Sequence, residues 1–330
     1  MKQIASTIVS TSCKNILVSN STTIVFANGG PEIIGFSLLT MKEIYKINPK
    51  ISVQNTTFDE ENLYGYTVNK EEQLIIKSIN ITTGEVQWST TIDGLELYYI
   101  PNAKLKASDT DLMLCFKNKA FLLDKKNGLL KVSKVNTSEN HGVFHVGSSF
   151  YTKENKNLYQ VDQELNYQLL TPSEIRYVAS SAGNPYIYYK EKEGITMLNI
   201  ETQQKKTIKY SPSYVMNIYA SPYNPYHLLV TLENMAVAAL LNFEDEKVEW
   251  INNKSECYGL DALFTKNGIV LSLGSLNYND SYIYCSIETG EELYNFIPLG
   301  PPHAQGQQFA IWDEKLIEIG GEIVNIYELM

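Results

Sequence analysis

No stretch of the 330 residues approaches the roughly 18 consecutive apolar residues that a membrane-spanning helix requires. None sustains the 3.6-residue periodicity of an amphipathic helix either. Cysteine is scarce: Cys13, Cys115, Cys257 and Cys285 include no C-x-x-C spacing and no adjacent pair. This excludes the usual zinc and dithiol motifs. It reads instead as buried free thiols in a reducing, cytoplasmic compartment. Positive charge is also short, with 27 Lys and Arg against 37 Asp and Glu and a net charge of −10. A surface for nucleic acid needs clustered Lys and Arg, so that partner class is excluded as the main role, as is a membrane. No Gly-x-Ser-x-Gly, Walker loop or His-Glu-x-x-His appears. Carboxylates are plentiful, but no spacing singles out a glycosidase-type pair. The sequence therefore calls for no catalytic residue, cofactor or metal, and its reading is non-enzymatic.

What is present is strand-forming composition, with 23 Tyr and many Ile, Val and Thr. A short phrase organises it. Ile79 to Trp88 reads Ile-Asn-Ile-Thr-Thr-Gly-Glu-Val-Gln-Trp: an alternating strand, a Thr-Gly turn and a second strand with a large aromatic four residues past the glycine. Cys285 to Tyr294 repeats it. Gly84, Gly128 and Gly290 lead to Trp88, Val132 and Tyr294. In degenerate copies Met41, Leu165, Gln204 and Glu246 lead to Tyr45, Leu169, Ile208 and Trp250. These anchors recur every 37 to 44 residues, with a mean of 41.5. A period near 40 built from short strands and turns is the mark of a β-propeller with four strands per blade.

The period predicts one all-β domain of eight blades, with seven as the alternative count. The blades fall at about 13–50, 51–94, 95–138, 139–173, 174–211, 212–254, 255–300 and 301–330. The last segment supplies only three strands, Gln308–Trp312, Leu316–Ile319 and Ile323–Leu329. Stepping back one period from Tyr45 lands near Ile4. Residues 1–10 are therefore expected to close the last blade, with Ile4, Ile8 or both packed beside Ile323 to Leu329, removing an exposed edge. The same N-terminus starts with Lys and reaches a Cys, as a lipoprotein signal does. Its apolar core, Ile4 to Val9, is too short for that reading. Six Asn-x-Ser/Thr sequons, Asn20 and Asn80 among them, are chance in a chain this rich in Asn, Ser and Thr. Asn127-Gly128 predicts a hairpin turn, since both residues tolerate positive φ. Asn184-Pro185-Tyr186 and Asn224-Pro225-Tyr226 predict turns between the first and second strands of two successive blades.

The phrase at Ile79–Trp88 and Cys285–Tyr294 resembles the repeat of quinoprotein-like propellers. That group is typically eight-bladed and includes quinone-dependent alcohol dehydrogenases and an outer-membrane assembly lipoprotein. A second resemblance is to WD-repeat propellers, although Trp312-Asp313 is the one Trp-Asp present and falls outside the repeat phase. The dehydrogenases hold their quinone with an adjacent-cysteine disulfide and a calcium site. This chain has no adjacent cysteines and is far shorter, so the resemblance implies the scaffold without the quinone site.

His141 and His145 lie four apart on a predicted inner strand and share a face. They read as polar lining, short of the ligands a metal site needs. Tyr98, Tyr99, Tyr177, Tyr214, Tyr219 and Tyr258, with Tyr223 and Tyr226, gather on inner strands and their loops. With the two histidines the first six form a candidate interaction face, since Tyr buries area while keeping a hydroxyl donor. The leading functional reading is a protein-interaction propeller, in one version an immunity-type protein that neutralises a cognate basic partner. The alternative is a carbohydrate-binding or carbohydrate-active propeller with a small-molecule or glycan ligand on aromatic rings at the channel mouth.

Overall fold

In the computed structural model the described residues form β-strands and their turns. The structure describes residues 2–13, 15–18, 23–27, 32–51, 56–71, 73–93, 104–116, 119–135, 143–154, 156–171, 175–181, 183–210, 212, 215–232, 237–253, 257–275, 281–296 and 308–329. Among them no helix is long and apolar enough to cross a membrane.

The chain opens with β1 (Lys2–Cys13). The first sheet is β2 (Asn15–Val18), β3 (Thr23–Ala27), β4 (Ile33–Ser37) and β5 (Lys42–Ile47). The second is β6 (Thr56–Phe58), β7 (Asn62–Val68), β8 (Leu74–Asn80) and β9 (Val86–Ile92). The third is β10 (Lys104–Ala107), β11 (Asp111–Phe116), β12 (Lys119–Asp124) and β13 (Leu130–Val135). The fourth is β14 (Val143–Val146), β15 (Ser149–Glu154), β16 (Asn157–Val161) and β17 (Tyr167–Thr171). The fifth is β18 (Val178–Ser180), β19 (Tyr186–Lys190), β20 (Ile195–Asn199) and β21 (Lys205–Ile208). The sixth is β22 (Val215–Ala220), β23 (His227–Leu232), β24 (Val237–Asn242) and β25 (Lys247–Asn253). The seventh is β26 (Cys257–Phe264), β27 (Gly268–Ser275), β28 (Ser281–Ser286) and β29 (Glu292–Phe296). Each of the seven pairs its strands in chain order. The eighth runs β1, β31 (Lys315–Glu328), β30 (Gln308–Trp312).

The N-terminal strand thus pairs with the C-terminal segment, as expected. The Glu318 carboxylate accepts bonds from Asn325 at 3.2 Å and from the Tyr327 hydroxyl at 2.7 Å. A straight strand would hold Glu318 and Asn325 about 23 Å apart. The 14-residue β31 therefore doubles back between them, where Gly320-Gly321 lies, and supplies two rungs of the sheet. One expectation fails here: Ile4 is 44% and Ile8 77% exposed, and Ala5 is the residue packed on the core. Both alternating sets of this strand carry apolar residues, so the pattern leaves its inward face open.

The chain divides into two compact units. The larger, Gln3–Thr171 with Gln305–Tyr327, holds the eighth sheet and the first to fourth. The smaller, Pro172–Ala304 with both chain ends, holds the fifth to seventh. Within each, the core lies between consecutive sheets. In β4, Ile34 and Phe36 meet Ile317 and Ile326 of the eighth sheet, while Ile33 joins Leu63 and Ile79 of the second. In β11, Leu112 and Leu114 face Tyr64 and Ile76 of the second sheet, while Met113 and Cys115 face Val143 and Phe150 of the fourth. Alternate residues of one strand serve two neighbours, which is why these central strands read as unbroken apolar runs. In the smaller unit Tyr188 and Met197 pack on Val230 and Phe243, and Leu229 and Leu240 on Ile269 and Ile283.

The repeat phrase now has a physical cause. The turn between the third and fourth strands closes with a bond from the Gly84 amide to the Asn80 carbonyl, 2.8 Å, and recurs as Gly128 to Asp124 and Gly290 to Ser286. The turn residue is left-handed: φ is 76° at Gly84, 72° at Gly128 and 68° at Gly290, and Met41, Leu165 and Glu246 take it without glycine. At the predicted Asn127-Gly128 turn the glycine alone has positive φ. A bulge at Leu122/Leu123 makes this the longer type I plus left-handed turn rather than the two-residue form. Four residues before the turn position a short polar side chain caps the loop amides, as Asn80 does for Thr82 and Thr83 at 3.0 and 2.9 Å, and in the fourth sheet Asp162, three before Leu165, does the same for Glu164 and Asn166.

The anchors Tyr45, Trp88 and Trp250 pack on the next sheet's turn, whereas the expected anchor Leu169 is 49% exposed. A Cβ on Gly84 would meet the Tyr45 ring at 2.7 Å, one on Gly128 the Trp88 ring at 2.4 Å, and one on Gly290 the Trp250 ring at 2.4 Å. The Tyr45 hydroxyl donates to the Ile81 carbonyl at 2.6 Å, and the Trp88 and Trp250 indoles to Lys125 and Ile287 at 3.0 and 2.9 Å. The fifth sheet corrects the expected phase. Its left-handed residue is Gln203, not Gln204, and Lys206 rather than Ile208 pairs with Met197, the position two before the cap Asn199. Lys206 Nζ reaches the Phe243 carbonyl at 3.0 Å, the bond a tryptophan makes elsewhere. No unpaired strand bulge intervenes in this hairpin, so its phase slips by one.

Candidate interaction face

In an antiparallel four-stranded meander the first-to-second and third-to-fourth turns lie at the same end. The smaller unit bonds them there directly: Ile200 N to Pro185 O at 2.9 Å, Phe243 N to Tyr226 O at 2.8 Å and Ile287 N to Asn267 O at 3.4 Å. Bonds between neighbouring sheets align these ends. Besides Lys206 to Phe243 and Trp250 to Ile287, the Tyr188 hydroxyl donates to the Pro225 carbonyl. Asn184 and Asn224 fold the Asn-Pro-Tyr turns by accepting from the Tyr186 and Tyr226 amides at 3.1 and 2.9 Å.

The result is an aromatic seam. Tyr186 lies 5.9 Å from Tyr226 and 6.5 Å from Tyr188, which lies 5.8 Å from Phe243, all tilted. Lys206 Nζ stands 5.8 Å from the Tyr226 ring centre. Tyr223, 51% exposed, is the outward ring of the same turn. A hydrogen bond to Tyr226 and burial raise the Tyr186 phenol above its ordinary value. Carboxylates share this end of the sheets. Glu201, then Glu244, Asp245 and Glu246, then Glu288, Glu291 and Glu292 stand exposed on or just beyond the third turns of three successive sheets. Lys247 bridges Asp245 at 3.1 Å and Glu249 at 3.4 Å, and these partners hold its ammonium above the usual lysine range. Burial pushes His227 beneath this face below the ordinary imidazole value, opposed by Glu249 and Glu244.

The residues expected to form an interaction face are placed as follows. Tyr177 packs against the core shared by the fifth and sixth sheets, and Tyr219 against that of the sixth and seventh. His145 is half-buried on β14, and Tyr258 sits on β26 opposite Gly274. Tyr98, Tyr99, His141 and Tyr214 lie outside the described residues. Sequence reading missed the acid-bearing turns, although the repeat itself marks them: they are the turn positions of the phrase. Among the described residues no three His, Cys, Asp or Glu stand together as a metal site. Cys115 and Cys285 are buried, and burial pushes the Cys115 thiol up to about 12.

No family model and no curated protein matches the sequence. Solved structures match over the whole chain. BamB from Moraxella catarrhalis is 11% identical with a TM-score of 0.66, covering 99% of each chain. The computationally designed Ika8 protein is 13% identical with a TM-score of 0.72, covering 100% of each. The WD40 domain of SCAP from fission yeast is 8% identical with a TM-score of 0.65, covering 98% of this chain and 96% of its own. Identities this low carry the fold and nothing finer. With these neighbours and its eight sheets, the chain has the all-β propeller fold found in quinoprotein-like and WD-repeat proteins, and each sheet is a blade.

Proposed function

We propose that this chain is a non-enzymatic protein-binding propeller whose acidic, tyrosine-lined turn face receives a basic protein partner, as an immunity-type protein that holds its cognate partner inactive. The observation that carries the reading is the combination on the smaller unit: seven exposed carboxylates flanking Tyr223, Tyr226 and Tyr186. Tyrosine supplies the anchoring area typical of interface centres, and charge complementarity supplies rate and selectivity. The net charge of −10 favours the same kind of partner. A buried free thiol at Cys115 fits a reducing cytoplasm as the place of encounter. The general role agrees with a fold widely used as an interaction scaffold.

The test is capture of a stoichiometric partner from native lysate at about 50 and 500 mM salt, beside a variant carrying Glu244→Lys, Asp245→Lys and Glu246→Lys. Recovery of a basic protein that the variant and the high salt both release supports the reading, since exposed charges are screened within about 10 Å at 0.1 M. A partner retained equally by the variant, or none at all, refutes it.

A further inference from the structure

We propose that Lys104, Lys106 and His145, brought together where the third and fourth sheets of the larger unit face each other, form a binding site for a small oxyanion such as a phosphate group. The placement follows from strand register. Leu105 and Ala107 enter the core shared with the second sheet. Lys104 and Lys106 therefore lie on the opposite face of β10, opposite Cys115 and Met113. Those two residues belong to the core shared with the fourth sheet, together with Val143. His145, two residues beyond Val143, is on the same face of β14, and β10 packs against β14.

The charge balance at this spot runs against that of the chain. Among the described residues Lys106 has no hydrogen bond or ion pair, and the charge acting on it most is a second cation, Lys104. Burial, with Lys104, holds its ammonium below the usual lysine range. Burial and then Lys106 hold His145 below the ordinary imidazole range. Lys125 pushes the same way and Asp109 opposes it. Lys125 is itself held by Asp59 at 3.1 Å. A half-buried ammonium facing other cations is costly unless an anion completes it. In a chain with ten more carboxylates than cations, the pair Lys104–Lys106 stands without a carboxylate partner among the described residues. Lysine is a point-charge phosphate binder, and a neutral imidazole beside it can donate one bond and accept a proton on binding.

The test uses the full chain at pH 7, with inorganic phosphate titrated at ionic strength held constant by NaCl. Melting temperature and the side-chain NMR signals of His145, assigned by their loss in His145→Asn, are followed together. The expected result is a melting temperature that climbs with phosphate, as for a ligand bound by the native state alone, and an upward move of the His145 titration midpoint. Lys106→Met should weaken the phosphate response by about tenfold or more, the loss of one charge-assisted bond. It should melt no lower than the parent in NaCl alone. A parallel titration with O-phosphoserine separates the sources. Tighter phosphoserine binding assigns a phosphorylated ligand and tighter phosphate binding the free ion, and either supports the site. No thermal or NMR response to either probe, or an undiminished response in Lys106→Met, overturns it. Should Lys106→Met fail to fold, the His145 midpoint in the parent chain decides, and a midpoint unmoved by phosphate is likewise fatal.

Discussion

Gly290 and Gly183 have the same left-handed backbone, with φ of 68° and 81°, and opposite surroundings. A Cβ on Gly290 would stand 2.4 Å from the Trp250 ring, whereas Gly183 has nothing within 4 Å. Gly183→Ala should cost about 1 kcal/mol from the backbone alone, and Gly290→Ala about 2 kcal/mol or more as the ring is also displaced. Equal losses in urea denaturation would remove the ring from the explanation. Glu318 gives a second residue-scale test. It is 1% exposed, and burial raises its carboxyl above the ordinary value against the bonds from Tyr327 and Asn325. A carboxyl raised on folding stabilises the native state fully below its unfolded pKa, about 4.3. It loses that contribution as pH rises through the folded value. Glu318→Gln removes the titration, so its melting temperature should exceed the parent's most at pH 7 to 8 and converge on it toward pH 4. A difference independent of pH would refute this account. Neither residue's role was legible in sequence. The anchor-to-glycine contact joins residues 39 or 40 positions apart, and the buried glutamate carries no motif. Lys206 reads as a solvated cation until its flexible stem is seen filling an anchor's place.

The strands were far easier to read than their contacts. The alternation predicts strands at 15–19, 22–27, 32–39 and 43–47 in the first blade, and these fall within two residues of β2 to β5 because period-2 alternation and turn residues bound them. The caps were missed because Asn80, Asp124, Asn199 and Ser286 differ in type while making the same bond to loop amides. A reading keyed to identity sees no repeat there. β1 shows the limit of alternation: its pairing followed from the count of strands, but the inward residue was Ala5. The Gln3 amide donates to Asn325 at 3.2 Å, and Asn325 in turn to Glu318, so β1 is tied into the eighth sheet by side chains as well as backbone. Removing residues 1–10 should therefore lower the melting temperature of the larger unit by several degrees and expose an edge strand that promotes association. A truncated chain that melts with the full-length protein and stays monodisperse would show β1 to be an appendage.

At the scale of the whole molecule, the sequence disclosed the number of blades because the period is set by chain length per sheet. Partner identity has no such regularity, which is why the acid-bearing turns became visible as a face only in the structure. A chain of net charge −10 repels itself at neutral pH. Its melting temperature at pH 7 should rise on going from about 10 to 150 mM NaCl, and its solubility should pass through a minimum near pH 5.0. A salt-independent melting temperature would mean that the carboxylates are already locally compensated. The anchors bear on how such a chain can change over time. Tyr45, Trp88, Lys206 and Trp250 all donate to a main-chain carbonyl, presented by Ile81, Lys125, Phe243 and Ile287 in turn. A carbonyl survives every substitution of the residue that bears it, so the receiving turn is free to drift while the joint persists. Copying one whole repeat copies both a donor and an acceptor, and the newcomer fits either neighbour without prior adjustment. Such a joint tolerates loss of sequence likeness between repeats, and between chains that share the fold at about one identical residue in ten.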